Sequence, residues 1–293
     1  MIRLEIAGLI VQVNISIKLL HENMYNFLYK GSRESDIYWE VRFDDKYQID
    51  ESPCIINKNL KIYEKNDIVV YEYTNKPNVP FMIVSKDNYS NCSFYVPRQY
   101  ENTEKYTKST ENYIKLCLFN SFREMFLLRC AYTNRLPVHS AAVSYDERAY
   151  MFAAPSGVGK STHASLWQEE FGCEIINGDI VIIEAQKDDK ILILHGCPWC
   201  GTSNIFENKS IELGAIAFLE RSDFNRAYQL DKEDIGMRLL ENHFIPFINK
   251  ETAVNTIDSI NLVANMVKGF LVKCCKDSEA AVIARDSMVG RRM

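Results

Sequence analysis

The stretch Ala153-Ala154-Pro155-Ser156-Gly157-Val158-Gly159-Lys160-Ser161-Thr162 decides the fold of the second half of the chain. It has the pattern of a small residue, four residues of any kind and then Gly-Lys-Ser. Gly157 and Gly159 can adopt backbone angles closed to other residues, so that successive N–H groups form a nest for phosphate oxygens. Lys160 adds a mobile positive charge, and the Ser161 hydroxyl can coordinate Mg²⁺. The stretch therefore predicts a phosphate-binding loop.

The residues on either side of this loop support the interpretation. The apolar run 150–153 stands directly before it, and 161–171 has the pattern of a helix that Gly172 ends. Ala154 stands where this pattern usually has glycine. Strand, loop and helix follow in the required order, and an ordinary glycine-rich turn is the alternative. The residues expected to hold the phosphates are Pro155, Ser156, Gly157, Val158, Gly159, Lys160, Ser161 and Thr162.

The rest of the second half alternates between strand-like and helix-like patterns. Its apolar runs are short and nearly continuous, which is typical of strands buried on both faces of a sheet. Together they predict an α/β fold whose helices cover the sheet. The predicted strands are at about 149–153, 173–176, 180–184, 190–194 and 213–219, and the predicted helices at about 111–132, 160–171, 231–242 and 252–273.

The first hundred residues show a different pattern. Apolar and polar residues alternate, as over 37–43, which indicates half-buried strands. A polar turn between two apolar runs predicts a hairpin over 60–73. We therefore expect an antiparallel, β-rich N-terminal domain that ends in a polar linker over 97–110. The predicted domains are residues 1–108, with the linker, and residues 109–293, with the phosphate-binding loop.

Composition limits the class of protein. The chain has 293 residues, of which 47% are hydrophobic, as is typical of a globular protein. Its 34 Lys and Arg against 39 Asp and Glu give a net charge of −5, which argues against binding to nucleic acid or to an anionic membrane. Nine cysteines, an odd number, indicate free thiols in a reducing compartment. Because the N-terminus lacks a signal-peptide pattern and no run reaches about 18 apolar residues, we expect a cytoplasmic protein.

Asp179 is the candidate for a catalytic carboxylate. It lies 19 residues beyond Lys160, within an otherwise apolar predicted strand. Phosphoryl transfer needs metal ligands and a base, and a carboxylate in apolar surroundings is unfavourable unless a metal ion or hydrogen bonds compensate it. The alternative is a solvated Asn177-Gly178-Asp179 turn, because Asn-Gly is a strong turn signal. His139 precedes the strand before the loop, and composition alone does not distinguish it from the other histidines.

His139, the run Ser156-Gly157-Val158-Gly159-Lys160-Ser161-Thr162 and Asp179 together resemble the C-terminal catalytic domain of HPr kinase/phosphorylase, whose fold is akin to that of phosphoenolpyruvate carboxykinase. The short interval between loop and acid carries the resemblance, which covers residues 135–185 best. It implies that Asp179 takes the proton of the acceptor hydroxyl and also binds the metal ion with Ser161. It further implies that His139 lies beside the phosphates, whose charge Lys160 stabilises.

The chain departs from that family in three places. Gly178 precedes Asp179 where the HPr kinases have two adjacent acids. The family's downstream acidic-x-Arg-Gly signature is absent, and the corresponding region is 195–203. The arginine loop that binds the acceptor is absent as well. These departures argue against the carrier protein HPr as the substrate and against phosphorylase activity.

The remaining features resemble the stand-alone HPr-kinase-like proteins of peptide natural-product clusters, including kinases that phosphorylate a Ser of lasso peptide precursors. The expected fold is an α/β P-loop kinase domain, akin to HPr kinase and phosphoenolpyruvate carboxykinase, with a β-rich N-terminal domain. The expected activity is ATP- and Mg²⁺-dependent transfer of the γ-phosphoryl group to a Ser hydroxyl of a peptide or protein. Two alternatives stay open: a non-catalytic ATP-binding regulatory module, and a phosphotransferase for free serine or of the carboxykinase type. A homo-oligomer is also left open.

The run Cys197-Pro198-Trp199-Cys200 invites a metal or redox interpretation. A zinc site needs a second pair, and Cys274-Cys275 is adjacent rather than spaced by two residues. A redox motif of this kind should open a helix, whereas a loop pattern follows here. We interpret the segment as a loop that lines the substrate side of the nucleotide site. The candidates to steady the γ-phosphate are Arg221, Arg226 and Arg238, among which the sequence does not select.

Overall fold

The computed structural model describes residues 1–44, 50–57, 60–73 and 82–290, apart from the side chains of Asn57, Met82 and Thr103. The chain forms two compact units, Met1–Arg129 and Cys130–Met293. The predicted division after residue 108 lies at the start of a long helix, whereas the two units divide at the end of that helix. The helix therefore groups with the N-terminal strands.

The first unit is built on one sheet. Its strands, within the described ranges, are β1 (Ile2–Ile6), β2 (Leu9–Asn14), β3 (Ile37–Phe43), β4 (Ile55–Asn57), β5 (Leu60–Lys65), β6 (Ile68–Tyr73), β7 (Met82–Lys86) and β8 (Asn91–Val96). They pair in the order β1-β2-β3-β8-β7-β6-β5-β4. β5 and β6 form the predicted antiparallel hairpin. The sheet is not wholly antiparallel as predicted, because β3 pairs parallel with both β2 and β8. The long connection from β2 to β3 makes this crossover feasible.

Helix α1 (Lys108–Cys130) covers this sheet. Trp39 of β3 stacks on Phe122 of α1, with ring centroids 4.6 Å apart and planes 14° from parallel. Phe94 and Phe126 meet the same indole edge-on. Such aromatic packing buries large apolar areas. The polar segment 97–110, predicted to be a linker, contains two short 3₁₀ turns and the first residues of this helix.

The second unit combines a sheet with four helices, counted over residues 130–290. The strands are β9 (Arg135–Tyr145), β10 (Arg148–Ala153), β11 (Glu174–Asn177), β12 (Ile180–Gln186), β13 (Ile191–His195), β14 (Ser210–Arg221), β15 (Arg226–Gln229) and β16 (Gly269–Cys274). The helices are α2 (Lys160–Phe171), α3 (Lys232–Asn242), α4 (Lys250–Met266) and α5 (Ser278–Val289). The protein is thus a mixed α/β protein with two sheets.

The strands of the second sheet pair in the order β10-β9-β12-β13-β14-β16-β15, with β11 on β9 and a further pairing of β10 with β14. The long strands β9 and β14 each take part in more than one ladder. The first part of β9 pairs with β12, and its second part pairs with β10 and β11. Because of this arrangement, the C-terminal ends of β10 and β11 both lie beside the middle of β9.

The predicted helix over 252–273 is correct up to Met266 and wrong over its last seven residues. α4 ends at Met266, and β16 pairs parallel with β14. The apolar run 270–272 is paired between β14 and β15, so long-range strand pairing overrides the helical spacing that precedes it. Gly269 opens this strand, and a Cβ there would lie 2.5 Å from Cγ1 of Ile235. Glycine therefore allows α3 to approach the strand closely.

Helices cover both faces of the second sheet. Ile235 of α3 and Ile260 of α4 pack into one apolar core, whereas Trp167 of α2 and Ala284 of α5 pack into another. Along β10, successive residues enter the two cores in turn, as expected for a strand buried on both faces. None of the helices in the described ranges combines the length and apolarity that crossing a bilayer requires.

Candidate functional site

The glycine loop, residues 154–159, connects β10 to α2. Gly157 has a φ of +80° and Gly159 a φ of +128°, both in the region that favours glycine. Apart from the neighbours Ser156 and Val158, no heavy atom of the described residues lies within 4 Å of the position that a Cβ at Gly157 would take. Backbone conformation rather than lack of space therefore demands glycine there. α2 begins directly after the loop, and Gly172, with a left-handed backbone, ends it as predicted.

The side chain of Lys160 extends along this loop toward its first residues, Ala154 and Pro155. Its side chain is buried, and Nζ donates hydrogen bonds to the backbone oxygens of Ala154 (2.9 Å) and Pro155 (3.4 Å). Burial lowers the pKa of Lys160, and the negative charge of Asp179 acts in the opposite direction. A buried ammonium held by carbonyl oxygens attracts an anion strongly, because water screens it poorly.

Asp179 lies in the bend between β11 and β12, not within a strand as predicted. Its Oδ1 is 3.3 Å from Nε2 of His139. The ladder between β9 and β12 aligns His139 with Ile180, and the backbone N–H of Ser140 donates to the carbonyl oxygen of Asp179 (3.0 Å). Strand pairing therefore brings the imidazole beside the carboxylate.

Asn177 ties this bend to the segment 197–200. The side chain is completely buried, and its Oδ1 accepts hydrogen bonds from the backbone N–H groups of Asp179 (2.9 Å) and Ile180 (3.1 Å). Its Nδ2 donates to the carbonyl oxygens of Cys197 (2.9 Å) and Trp199 (3.4 Å). In the sequence, the Asn-Gly turn signal indicates the bend at this position. It does not indicate the hydrogen bonds from Nδ2 to the carbonyl oxygens of Cys197 and Trp199.

A cleft of about 430 Å³ brings the predicted site residues together from separate parts of the chain. Those that line it are His139, Ser156, Gly157, Gly159, Lys160, Ser161, Thr162 and Asp179. Two predicted residues lie elsewhere. Pro155 offers its carbonyl oxygen to Lys160, and Val158 lines a pocket on the other side of the loop.

The segment after β13 forms another wall of the cleft, through Cys200, Thr202 and Ser203. Cys197 is buried instead, where its Sγ donates to the carbonyl oxygen of Ile180 (3.2 Å) and burial raises the pKa of the thiol. Within the described part of the chain, no group of three or more His, Cys, Asp and Glu residues is arranged to hold a metal ion.

Close packing accounts for two glycines around Asp179. A Cβ at Gly178 would lie 2.4 Å from Oγ of Ser203, so a side chain at this position has no room. Gly201 has a φ of +59°, and a Cβ there would lie 2.7 Å from the carboxylate of Asp179. The position before Asp179 therefore does not accommodate a second acid in this conformation.

Arg221 contacts the glycine loop, unlike the other two candidate arginines. Its Nε donates to the carbonyl oxygen of Val158 (3.2 Å), and its Nη2 donates to that of Gly157. The guanidinium of Arg226 lies over the ring of Tyr228, and that of Arg238 lies over the ring of Phe218. Arg221 thus supports the loop through its carbonyl oxygens.

The chemistry of the cleft follows from these groups. The ammonium of Lys160 and the glycine loop at the start of α2 attract an anion. The carboxylate of Asp179, beside His139, can accept a proton or bind a cation. The hydroxyl of Ser161, which donates to the carbonyl oxygen of Gly178 (3.3 Å), offers a further oxygen ligand.

His163 is a buried residue of α2 that no sequence motif distinguishes. It is 2% exposed, its ring meets Phe152 edge-on at 4.7 Å, and its Nε2 has no hydrogen-bond partner in the described residues. Burial lowers its pKa from 6.5 to about 4. The folded protein therefore keeps this imidazole neutral near pH 7.

We expect this burial to make the second unit less stable in acid. Between pH 6.5 and 4 the unfolded chain binds a proton at His163 that the folded chain does not, so the free energy of unfolding falls as the pH falls. Between pH 7.5 and pH 4.5, the free energy of unfolding of His163→Phe should therefore fall by about 2 to 3 kcal/mol less than that of the wild-type protein. Urea unfolding of both proteins at the two pH values measures it. An equal loss in both proteins contradicts the assignment.

No protein-family model matches the sequence, and no curated protein matches it. Among solved structures, the HPr(Ser) kinase/phosphatase from Coxiella burnetii is similar to part of this chain, with 11% sequence identity and a TM-score of 0.29. The match covers 52% of this chain and 96% of that one. About half of the chain thus shows a distant structural likeness to an HPr kinase/phosphatase.

Proposed function

We propose that this protein is an ATP- and Mg²⁺-dependent phosphotransferase that transfers the γ-phosphoryl group to a hydroxyl. The proposed acceptor is the hydroxyl of a Ser in a peptide or protein. The supporting observation is that Lys160, at the end of the glycine loop, lines the same cleft as Asp179 and His139, whose side chains lie side by side. A loop of this kind suits phosphate oxygens, and a carboxylate facing the same cleft can act as a base.

The groups present suit both ATP and Mg²⁺. Gly157 and Gly159 line the cleft, so phosphate oxygens in it can approach the loop amides. Ser161 and Asp179 line the same cleft and offer the oxygen ligands that Mg²⁺ prefers. These two side chains would hold the ion. When bound, Mg²⁺ supplies positive charge that neutralises the phosphates during transfer.

The protein's own residues then divide the work of transfer. Lys160 would exchange its carbonyl partners for phosphate oxygens and stabilise their charge. Asp179 would accept the proton of the acceptor hydroxyl while that oxygen bonds to the γ-phosphorus and ADP departs. His139, 3.3 Å from the carboxylate, would orient it toward the acceptor. Asn177 would hold the backbone of Asp179 in place.

The motifs resemble those of the kinases of lasso peptide precursors, which supports a Ser acceptor. A direct test is to incubate the protein with ATP, Mg²⁺ and Ser-containing peptides, among them one encoded beside its gene. We expect ADP to form together with a peptide heavier by about one phosphate group. Lys160→Ala serves as the control that should form neither product.

The same experiment separates the alternatives. ADP formation with free serine, but with no peptide, would identify a small-molecule phosphotransferase. Binding of ATP without ADP formation from any acceptor would identify a regulatory module, a role that agrees with the lack of room for a second acid at Gly178. Absence of ATP binding would contradict both kinds of function.

Arg221→Gln is expected to weaken the binding of Mg²⁺ and ATP. Its guanidinium holds the carbonyl oxygens of Gly157 and Val158, so its loss should loosen the glycine loop without removing any phosphate ligand. Because the side chain is exposed, we expect a rise of about three- to tenfold in Kd. Calorimetric titration measures the change. Arg226→Gln, an exposed arginine on β15, is the matched control and should leave Kd unchanged.

A further inference from the structure

A second pocket lies on the other side of the glycine loop. Its volume is about 350 Å³, within the range usual for pockets that bind small molecules. Val158, Leu166 of α2 and Leu219 of β14 give it apolar walls. Ser222 and the segment 274–276, which follows β16, line it as well. It therefore offers apolar surface together with a few polar groups.

His163 supplies a polar group in the wall of this second pocket. Its Nε2 has no hydrogen-bond partner among the described residues, although the side chain is almost completely buried. An unsatisfied buried polar group is unfavourable and calls for a ligand or water to bond it. Because the imidazole is neutral near pH 7, it suits an uncharged polar group better than a phosphate.

The second pocket adjoins the cleft that contains Asp179. Gly157, Gly159 and Thr162 line both cavities, so a ligand that extends along the loop can contact both. We propose that the second pocket binds the nucleoside half of the nucleotide, with His163 as a hydrogen-bonding contact to its base or ribose. This inference rests on the proposed function, which assigns the phosphates to the cleft.

The chemistry of a nucleoside fits each wall. A base is flat and apolar on its faces, which the side chains of Leu166 and Leu219 can cover. Its edge and the ribose hydroxyls are uncharged donors and acceptors, which suit the neutral imidazole of His163. Arg221, which also lines the pocket, already bonds to the loop carbonyl oxygens of Gly157 and Val158.

Two variants and two ligands test the proposal. His163→Phe keeps a ring of similar size without the nitrogens, and we expect it to raise the Kd of ATP about tenfold, as the loss of one hydrogen bond predicts. Leu166→Trp should fill the pocket and raise that Kd more than tenfold. Inorganic tripolyphosphate, which has no nucleoside, should bind all proteins equally. Leu240→Trp, on α3 at the other face of the sheet, is the control for an added indole.

A second measurement uses the cysteines as reporters. Cys275 lines the second pocket and is half-buried, whereas Cys54 is exposed and belongs to the first unit. Labelling with N-ethylmaleimide at pH 9, followed by peptide mass spectrometry, gives the rate at each thiol. Saturating ATP with Mg²⁺ should slow the labelling of Cys275 and leave that of Cys54 unchanged. Tripolyphosphate should slow neither.

The outcomes separate this inference from the function on which it rests. If the wild-type protein binds neither ATP nor tripolyphosphate, the proposed function fails. If it binds ATP but Leu166→Trp and His163→Phe leave the Kd unchanged, the phosphate site stands and the nucleoside pocket is wrong. Labelling of Cys275 that saturating ATP does not slow would also overturn the pocket. Circular dichroism confirms that each variant is folded before binding is measured.

Discussion

Asp179→Asn is expected to lower kcat for phosphoryl transfer by about 10³-fold, since removal of a general base usually reduces rates by about 10² to 10⁴-fold. The amide has nearly the same shape and keeps an oxygen beside His139, whose Nε2 is 3.3 Å from Oδ1 of the native carboxylate. It cannot take up the proton of the acceptor hydroxyl. ATP binding should change little, because the glycine loop and Lys160 are untouched. Single-turnover transfer and equilibrium binding of ATP measure the two effects separately.

The control for this variant is Asp188→Asn, an exposed acid in the turn between β12 and β13. It should retain full transfer, since it lies outside the lining of the cleft. Full activity of Asp179→Asn would show that the carboxylate is not the base. Loss of ATP binding in the same variant would instead show that Asp179 acts mainly through the metal ion. Titration with Mg²⁺ distinguishes that result.

Asn177→Ala is expected to destabilise the second unit by about 3 to 5 kcal/mol. The side chain makes hydrogen bonds to two backbone N–H groups and two carbonyl oxygens, and its removal leaves several of these groups buried without partners. Each buried polar group that loses its hydrogen-bond partner destabilises the folded state by about 1 to 3 kcal/mol. The midpoint of thermal unfolding should therefore fall by roughly 10 °C. Below that temperature, transfer should still be slow, because the backbone of Asp179 has lost its support.

Asn265→Ala provides the comparison for this loss. Asn265 is exposed on α4 and donates one hydrogen bond to the carbonyl oxygen of Asn261. Its removal should change the free energy of unfolding by less than about 0.5 kcal/mol. Calorimetric unfolding of the two variants, together with transfer rates at 10 °C, gives both quantities. If Asn177→Ala unfolded like the wild-type protein, its contacts would not hold the bend in place.

Local features around the glycine loop could be predicted from the sequence. The predicted helix over 160–171 is α2, and Gly172 ends it. The predicted strand before the loop is β10, with one residue more at its start. These elements follow from short-range rules: apolar runs, positive φ at glycine, and helix ends. Asp179 was predicted from its position in an apolar run, and His139 through the resemblance to a family. The structure places their side chains side by side.

Features that depend on distant residues could not be predicted. The helical pattern over 252–273 does not reveal that 269–274 pairs with β14 and β15. Nor does it show that two of its apolar side chains, Val254 and Ile257, remain 45% exposed. The dual role of Asn177 depends on the segment 197–200, about twenty residues away in sequence. Parallel pairing in the first sheet likewise depends on which strands meet, and alternation of apolar residues is the same for both directions.

The sequence by itself determined that a glycine-rich turn with a following lysine stands between a strand and a helix, because backbone freedom and helix ends are local properties. Only the tertiary structure decided what faces that turn. Strand pairing brings His139 to Asp179, Asn177 anchors the bend, and Ser203 occupies the space beside Gly178. These contacts join residues far apart in the chain, and their free energy exists only when the sheet is assembled.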